Sequence, residues 1–400
     1  MLTAQSFVMT SGERYVVLLD DLSHLPDFNT NLFLTTQIRN ADKAYATLLS
    51  AASHLRLFYC FLMVRQIELH DRYKTKRFLL VHELDALRDF CAKEQYGLTK
   101  PKKTRDVDRK TLHARLSTIA KYCDWLVGRF FDFNNPPPSA AASMVSYIRA
   151  RRPKVSSRAV QKEKALSSFQ VQALLAAIDP DSPVNIFEPE VRDRNYLIIR
   201  TMSELGIRAG ELLGIRLEDI DFSENVVQIV RRPDQVDDPR KRQPLVKTLA
   251  RALPMSNRLS TDLHEYIIGV RRRIPNARKC PYLFITHKSG PTQGQPLSIA
   301  GYQKIWRTLQ LSSLTLAKVH GHRLRHSWNQ NFSEYMDSLP SPPSETEQEH
   351  LRSKLMGWKK GSGSAKHYNE RFISRKANQV GLELQEKLRE SIRRKNGASD

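Results

Sequence analysis

Apolar residues recur at three- and four-residue steps along most of the chain, and the clearest run is TLHARLSTIAKYCDWLVGRFF. There Leu112, Leu116, Ile119, Cys123, Leu126 and Phe130 fall on one stripe and predict a helix with a buried face. The same period extends over residues 35–130 and marks a small helical domain. Before it, YVVLL (15–19) is the only strand-like run in an otherwise irregular or β segment. The run NNPPPSAAAS (134–143) cannot continue a helix, because proline lacks an N–H and restricts the residue before it. A second domain opens at Ser168, where SFQVQALLAAI has a capped apolar onset. Its pattern is mixed. YLIIRTMSELGIRAGELLGI (196–215) reads as helix, while NVVQIVRR (225–232), the region of LVKTLARALPMS (245–256) and YLFIT (282–286) have strand composition. Helices return in IAGYQKIWRTLQL (299–311), HRLRHSWNQNFSEYM (322–336) and HLRSKLMGW (350–358), and DSLPSPPSETEQE (337–349) reads as an inserted surface loop. The expected fold is α+β and mainly helical, with a small antiparallel sheet. Its expected parts are an N-terminal segment of unassigned role (1–33), a helical domain (34–150), a linker (151–167) and a mixed domain (168–400) ending in a helix.

Length and charge sharpen this picture. Four hundred residues suit two domains, and 64 Lys+Arg against 42 Asp+Glu leave a net charge of +22, which favours a polyanionic partner, nucleic acid first. Two basic stretches are candidate phosphate contacts or solvated loops: TKPKKTRDVDRK (99–110), with Lys102, Lys103 and Arg105, and the linker RARRPKV, with Arg151, Arg152 and Lys154. The N-terminus has no secretory pattern, and LRLFYCFLMV (55–64), which contains Arg56, is about half the length a membrane span needs, so a cytosolic protein without a membrane partner is expected. Cys60, Cys91, Cys123 and Cys280 are far apart and read as buried thiols rather than a disulfide frame or metal site.

The candidate chemistry lies in five strings in one order: LGIRAGELLGIRLEDID (205–221), VKTLARALP (246–254), HRLRH (322–326), MGW (356–358) and KHY (366–368). A His-x-x-Arg alone is weak, and two overlap here, His320/Arg323 and His322/Arg325. Taken together, the strings resemble the tyrosine recombinases, the phage-integrase-like site-specific DNA recombinases. The motifs cover roughly residues 168–375, and the helical domain is compatible with the family's core-binding domain.

The resemblance implies roles residue by residue. Arg208 and Arg325 match the two arginines that grip the scissile phosphate, where planar forks stabilise a pentacovalent transition state. Glu211, three residues after Arg208, is placed to hold its guanidinium. Lys247 matches the lysine that protonates the departing 5′ oxygen, with Lys241 and Arg242 close by in sequence. His322 matches the box histidine, the 322/325 register being preferred because Leu324-Arg325-His326 reproduces the family's Leu-Arg-His. His326 either supports the pocket or is a satisfied core histidine. Trp358 stands where Leu-Gly-His is the commonest string, and its indole can position a phosphate but carry no proton. Tyr368 matches the nucleophile, a phenol that ionises only near ~10 and needs the cationic pocket.

GSGSAK (361–366) fails the nucleotide-cradle pattern and reads as a joint for the tyrosine segment or an exposed turn. The tail KANQVGLELQEKLRESIRRKN (376–396) has Val380, Leu384, Leu388 and Ile392 on one stripe, packing on its own domain or, as the family implies, on a neighbouring protomer. The reading is therefore a site-specific recombinase (integrase) of a mobile genetic element, cleaving and rejoining DNA through a 3′-phosphotyrosyl link without metal or cofactor. Its expected partners are double-stranded DNA at a recombination site, a homotetramer with exchanged C-terminal helices, and accessory DNA-bending or partner recombinase proteins, in a cytoplasmic, nucleoid-associated setting. A type IB topoisomerase-like relaxing enzyme and a non-catalytic accessory or regulatory subunit are the alternatives.

Overall fold

The computed structural model describes residues 1–94, 105–154, 165–359, 377–378 and 380–389. It divides into two units. The first is Met1–Gln161 together with Asp234–Arg242; the second is Lys162–Pro233 together with Gln243–Asp400.

The first unit starts with an antiparallel hairpin, β1 (Leu2–Val8) and β2 (Arg14–Asp20), running in register from Leu2 opposite Asp20 to Val8 opposite Arg14. Only β2 is legible in the sequence, because β1 (LTAQSFV) breaks its apolar residues with Thr3, Gln5 and Ser6 and is largely exposed. The helices are α1 (Phe28–Phe33), α2 (Tyr45–Val64), α3 (Leu69–Lys74), α4 (Val81–Ala92), α5 (Arg109–Phe130) and α6 (Ser139–Ala150). Asp27 caps α1 by accepting from Thr30 N at 2.8 Å, and Asp108 caps α5 by accepting from Lys110 N and Thr111 N. The predicted stripe of α5 is buried from Leu112 to Leu126, with Phe130 half-buried. It packs on α2, which also packs against the hairpin, so Leu2, Val16, Leu18 and Phe33 join one core with Leu48, Phe58 and Ile119. Residues 1–33 are thus part of the helical unit's core. Helix α2 is long and apolar enough to cross a membrane, yet ten of its residues are buried, nine of them in this core, as in an interior helix of a globular unit.

The second unit has α7 (Ser168–Ile178), capped by Ser167 and Gln170, then α8 (Arg192–Leu205) and the short α9 (Ala209–Leu212). Strands β3 (Ile220–Asp221), β4 (Val226–Ile229) and β5 (Arg251–Pro254) form an antiparallel sheet in the order β3-β4-β5. Helices α10 (Asn257–Tyr266), α11 (Ile299–Ser312), α12 (Gly321–Ser338) and α13 (Glu345–Met356) complete it. Three expectations change here. The helix expected over 196–215 breaks at Gly206, whose backbone is left-handed (φ +61°). YLFIT forms only isolated bridges, Tyr282 with Arg216 and Ile285 with Pro296. The expected loop 337–349 shrinks, since α12 runs to Ser338 and a Ser344–Glu347 capping box starts α13. All four cysteines are buried free thiols, and burial pushes Cys91 and Cys123 up to about 12.

Candidate active site

The site is organised around one buried carboxylate. Helix α8 stops at Gly206, where a Cβ would lie 2.7 Å from Trp328 Cγ, so only glycine suits both the turn and the contact. The chain then runs extended through Arg208 (φ −83°, ψ 157°), which caps α9 rather than lying on a continuous helix. Glu211 therefore meets Arg208 as a capping residue. Its Oε2 accepts from Arg208 N at 3.1 Å, and its Oε1 lies 3.4 Å from Arg208 Nη1.

The other strings converge on the same carboxylate. Thr248 Oγ1 donates to Glu211 Oε1 at 2.8 Å, and Arg251 Nη2 donates to Oε2 at 2.9 Å. Arg325 Nη1 lies 3.9 Å from Oε2 and donates to Gly206 O at 2.7 Å, while its Nη2 donates to Met356 O at 3.2 Å. Arg251 Nε also donates to Leu355 O at 2.6 Å, and Leu249 N to Gly357 O at 2.9 Å, which ties the segment after Lys247 to the end of α13. Gly357 closes α13 in a left-handed conformation (φ +63°), and a Cβ there would meet Arg251 Nη1 at 2.7 Å. Trp358 is buried, with its ring centre 5.6 Å from the Arg325 guanidinium carbon.

Burial would raise the Glu211 carboxyl, but Arg251, Arg325 and the Arg208 amide outweigh it and hold the carboxyl below its ordinary value. Glu211 is thus an ionised counter-charge beneath three arginines. Of these, Arg208 keeps 31% of its side chain exposed, whereas Arg325 is 1% exposed. An arrangement with this excess of cations over one fixed anion is suited to an incoming oxyanion.

Of the two overlapping His-x-x-Arg registers, Arg325 reaches Glu211, and Arg323 instead donates to Ala165 O at 2.6 Å and Gln170 Oε1 at 3.1 Å. His322 is exposed on the first turn of α12, with its ring 4.5 Å from that of His326 and edge-on to it. Burial, with Arg323 nearby, lowers the His320 pKa. Lys247 is exposed in the irregular segment before β5 rather than on a strand. Tyr368 and the glycine-serine string lie outside the described residues.

Among the candidate DNA contacts of the first unit, Arg105 and Lys154 are exposed. Arg151 instead pairs with Asp85 at 2.7 Å, and Arg152 donates to Arg149 O at 2.9 Å and Ser117 Oγ at 3.3 Å. Lys102 and Lys103 lie outside the described residues. Sequence reasoning missed Thr248 and Arg251, although Arg251 stands out as the lone charge among Leu249, Ala250, Ala252 and Leu253.

Residues 164–337 match the Phage integrase family. The match takes in 174 of the 400 residues. Among curated relatives it is 25% identical over 228 residues to tyrosine recombinase XerC of Halalkalibacterium halodurans, covering 55% of this chain and 61% of the relative. It is 32% identical over 159 residues to a putative integrase/recombinase, y4rF, of Sinorhizobium fredii, covering 39% of this chain and 31% of that one. The match thus spans less than two thirds of either relative. Among solved structures, the XerH site-specific recombinase bound to its difH substrate in a pre-cleavage complex shares the fold. Its TM-score is 0.51 at 16% identity, with 80% of this chain and 76% of that chain covered. The mainly helical architecture with small antiparallel sheets is thus a fold that this chain shares with a solved structure.

Proposed function

We propose that this chain cleaves and rejoins DNA strands at a specific site through a covalent tyrosine intermediate. The observation that carries the reading is the convergence of Arg208, Thr248, Arg251 and Arg325 on Glu211, beside Trp358 and one residue from Lys247.

In the proposed reaction Tyr368 Oη attacks the scissile phosphorus, the P–O5′ bond breaks, and Lys247 gives its proton to the 5′ oxygen. Arg208 takes the non-bridging oxygens from its exposed edge. Arg325 joins by exchanging the Gly206 or Met356 carbonyl for phosphate, a charge-assisted bond replacing a neutral acceptor. His322 takes the phenolic proton or bonds the phosphate, with His326 packed against it, and Trp358 fixes the Arg325 guanidinium. Glu211 holds the arginines apart and oriented. Rejoining reverses these steps, so neither ATP nor a metal ion is needed.

Double-stranded DNA is the proposed substrate, supported by the net charge of +22 and the family of residues 164–337. Assembly as a tetramer on paired sites is proposed for the C-terminal helix, of which Val380 and Leu384 are more than half exposed. Service to a mobile element, accessory proteins and a nucleoid-associated place in the cytoplasm belong to the same proposal.

The test is to incubate the protein in EDTA without ATP with supercoiled DNA carrying the sequences that flank its own gene, then look for SDS-resistant adducts. Adducts and rejoined products that vanish with Tyr368→Phe support the reading. Relaxation without site preference points to a topoisomerase-like enzyme, and tight binding without adducts to a non-catalytic subunit.

A further inference from the structure

Helix α12 carries two histidines one turn apart. His322 is exposed on the first turn and His326 is half-buried four residues on, and residues at that spacing share one face of a helix. Their ring centres are 4.5 Å apart, with 73° between the planes. Imidazoles that share one zinc ion through metal–nitrogen bonds of about 2.0–2.1 Å have centres roughly 4.5–5.5 Å apart, so the pair already stands at chelating distance. Rotation about χ2, a broad two-fold torsion in histidine, turns a nitrogen of each ring toward one point.

The flanking arginines are held by other acceptors. Arg323 donates to Ala165 O and Gln170 Oε1, and Arg325 to Gly206 O and Met356 O. Their charge still opposes a dication, so a single imidazole there would hold one weakly. Two on one helix face are preorganised, which spares the entropy of bringing them together. Among the described residues no group of three or more His, Cys, Asp or Glu is placed to hold a metal ion. A structural zinc site takes four protein ligands, whereas a pair leaves the other positions to water, and such an ion exchanges with solution. Imidazole nitrogen selects zinc, copper and nickel over magnesium and calcium, which prefer oxygen.

We infer that His322 and His326 form a two-histidine site for a transition-metal dication such as zinc, and that its occupation switches cleavage off. The site stands on the geometry of α12 alone. The switch rests on the role proposed for His322: a ring nitrogen whose lone pair goes to the metal neither takes the phenolic proton nor donates to the phosphate.

Calorimetric titration of the full chain with zinc chloride, in excess Mg2+ so that sites made of oxygen ligands are already filled, reads the site. His322→Ala and His326→Gln should each weaken the binding of one zinc ion at least about tenfold. His320→Gln should leave it unchanged, and His326→Cys, which keeps a zinc ligand one turn from His322, should retain it. Zinc binding unaltered in both His322→Ala and His326→Gln overturns the site, as does its loss in His326→Cys when that variant melts like the wild type. Cleavage of the DNA site footprinted by the wild-type protein reads the switch. Zinc should slow the wild type by roughly a hundredfold, the order that one acid–base group contributes, and EDTA should restore the rate. His326→Gln should keep its own metal-free rate at the zinc level that stops the wild type. Zinc bound at the pair with cleavage unchanged overturns the switch, and so does inhibition as strong in His326→Gln as in the wild type. If the metal-free protein cleaves no DNA, it is the proposed function that fails, and the calorimetry still decides the site.

Discussion

Glu211 accepts from Arg251, Thr248 and the Arg208 amide while Arg325 stands beside it, so its removal leaves cations buried without their counter-charge. Breaking such an arrangement from one side typically costs about 3–5 kcal/mol. Glu211→Ala should therefore lower the unfolding free energy of the second unit by that order in urea titration, and abolish cleavage. Glu211→Gln keeps the shape and one acceptor oxygen, and should cost less in stability while still impairing the arginines' placement. Equal stability of Glu211→Ala and wild type would refute the central role of this carboxylate. The arginine pair expected from the sequence omitted Arg251, because a residue whose partner lies forty positions earlier leaves no local periodic mark. Arg208 and Arg325 were legible only because their neighbours form recognisable strings.

At the scale of elements, the break between α8 and α9 matters more than either helix. Read for periodicity, residues 196–215 form one helix, since apolar spacing does not register a single left-handed residue. That break turns Gly206 O toward Arg325 and makes Arg208 a cap. Gly206→Ala would place a side chain in the left-handed region, at about 1–2 kcal/mol, and drive it into Trp328. The expected outcome is a lower melting temperature together with a loss of DNA cleavage larger than the stability change explains. The segment between α10 and α11 carries a second constraint. His287 is buried, donates Nδ1–H to Glu190 O at 2.7 Å and accepts from Tyr266 at 3.0 Å, and burial lowers its pKa to about 4. The unfolded chain, with a histidine near 6.5, binds more protons between about 4 and 6.5, so stability rises with pH across that window and is lost on acidification. His287 alone supplies up to about 3 kcal/mol of this slope. His287→Gln should flatten the pH dependence of the second unit's melting; an unchanged slope would place the acid sensitivity elsewhere.

At the scale of the whole molecule, the mainly helical character was legible, because apolar period is a local signal. That the first unit is discontinuous was not, since Arg14 finds its acceptors more than two hundred residues later. A fragment ending at Gln161 loses the carbonyls of Gln235, Asp238 and Arg240 while keeping the arginine that needs them. Hydrogen bonds to a charged donor contribute about 1.5–3 kcal/mol each, and part of that loss is recovered when the exposed arginine is solvated by water. The fragment 1–161 should consequently unfold at lower urea than the same unit within the full chain. A peptide of residues 234–242 added in excess should raise its midpoint in a concentration-dependent way, as a ligand of the folded form does. Arg14→Met in the same fragment should remove the peptide's effect, because the peptide's carbonyls then have no buried guanidinium to meet. A fragment as stable as the intact unit and indifferent to the peptide would mean that residues 234–242 rest on the hairpin without holding it.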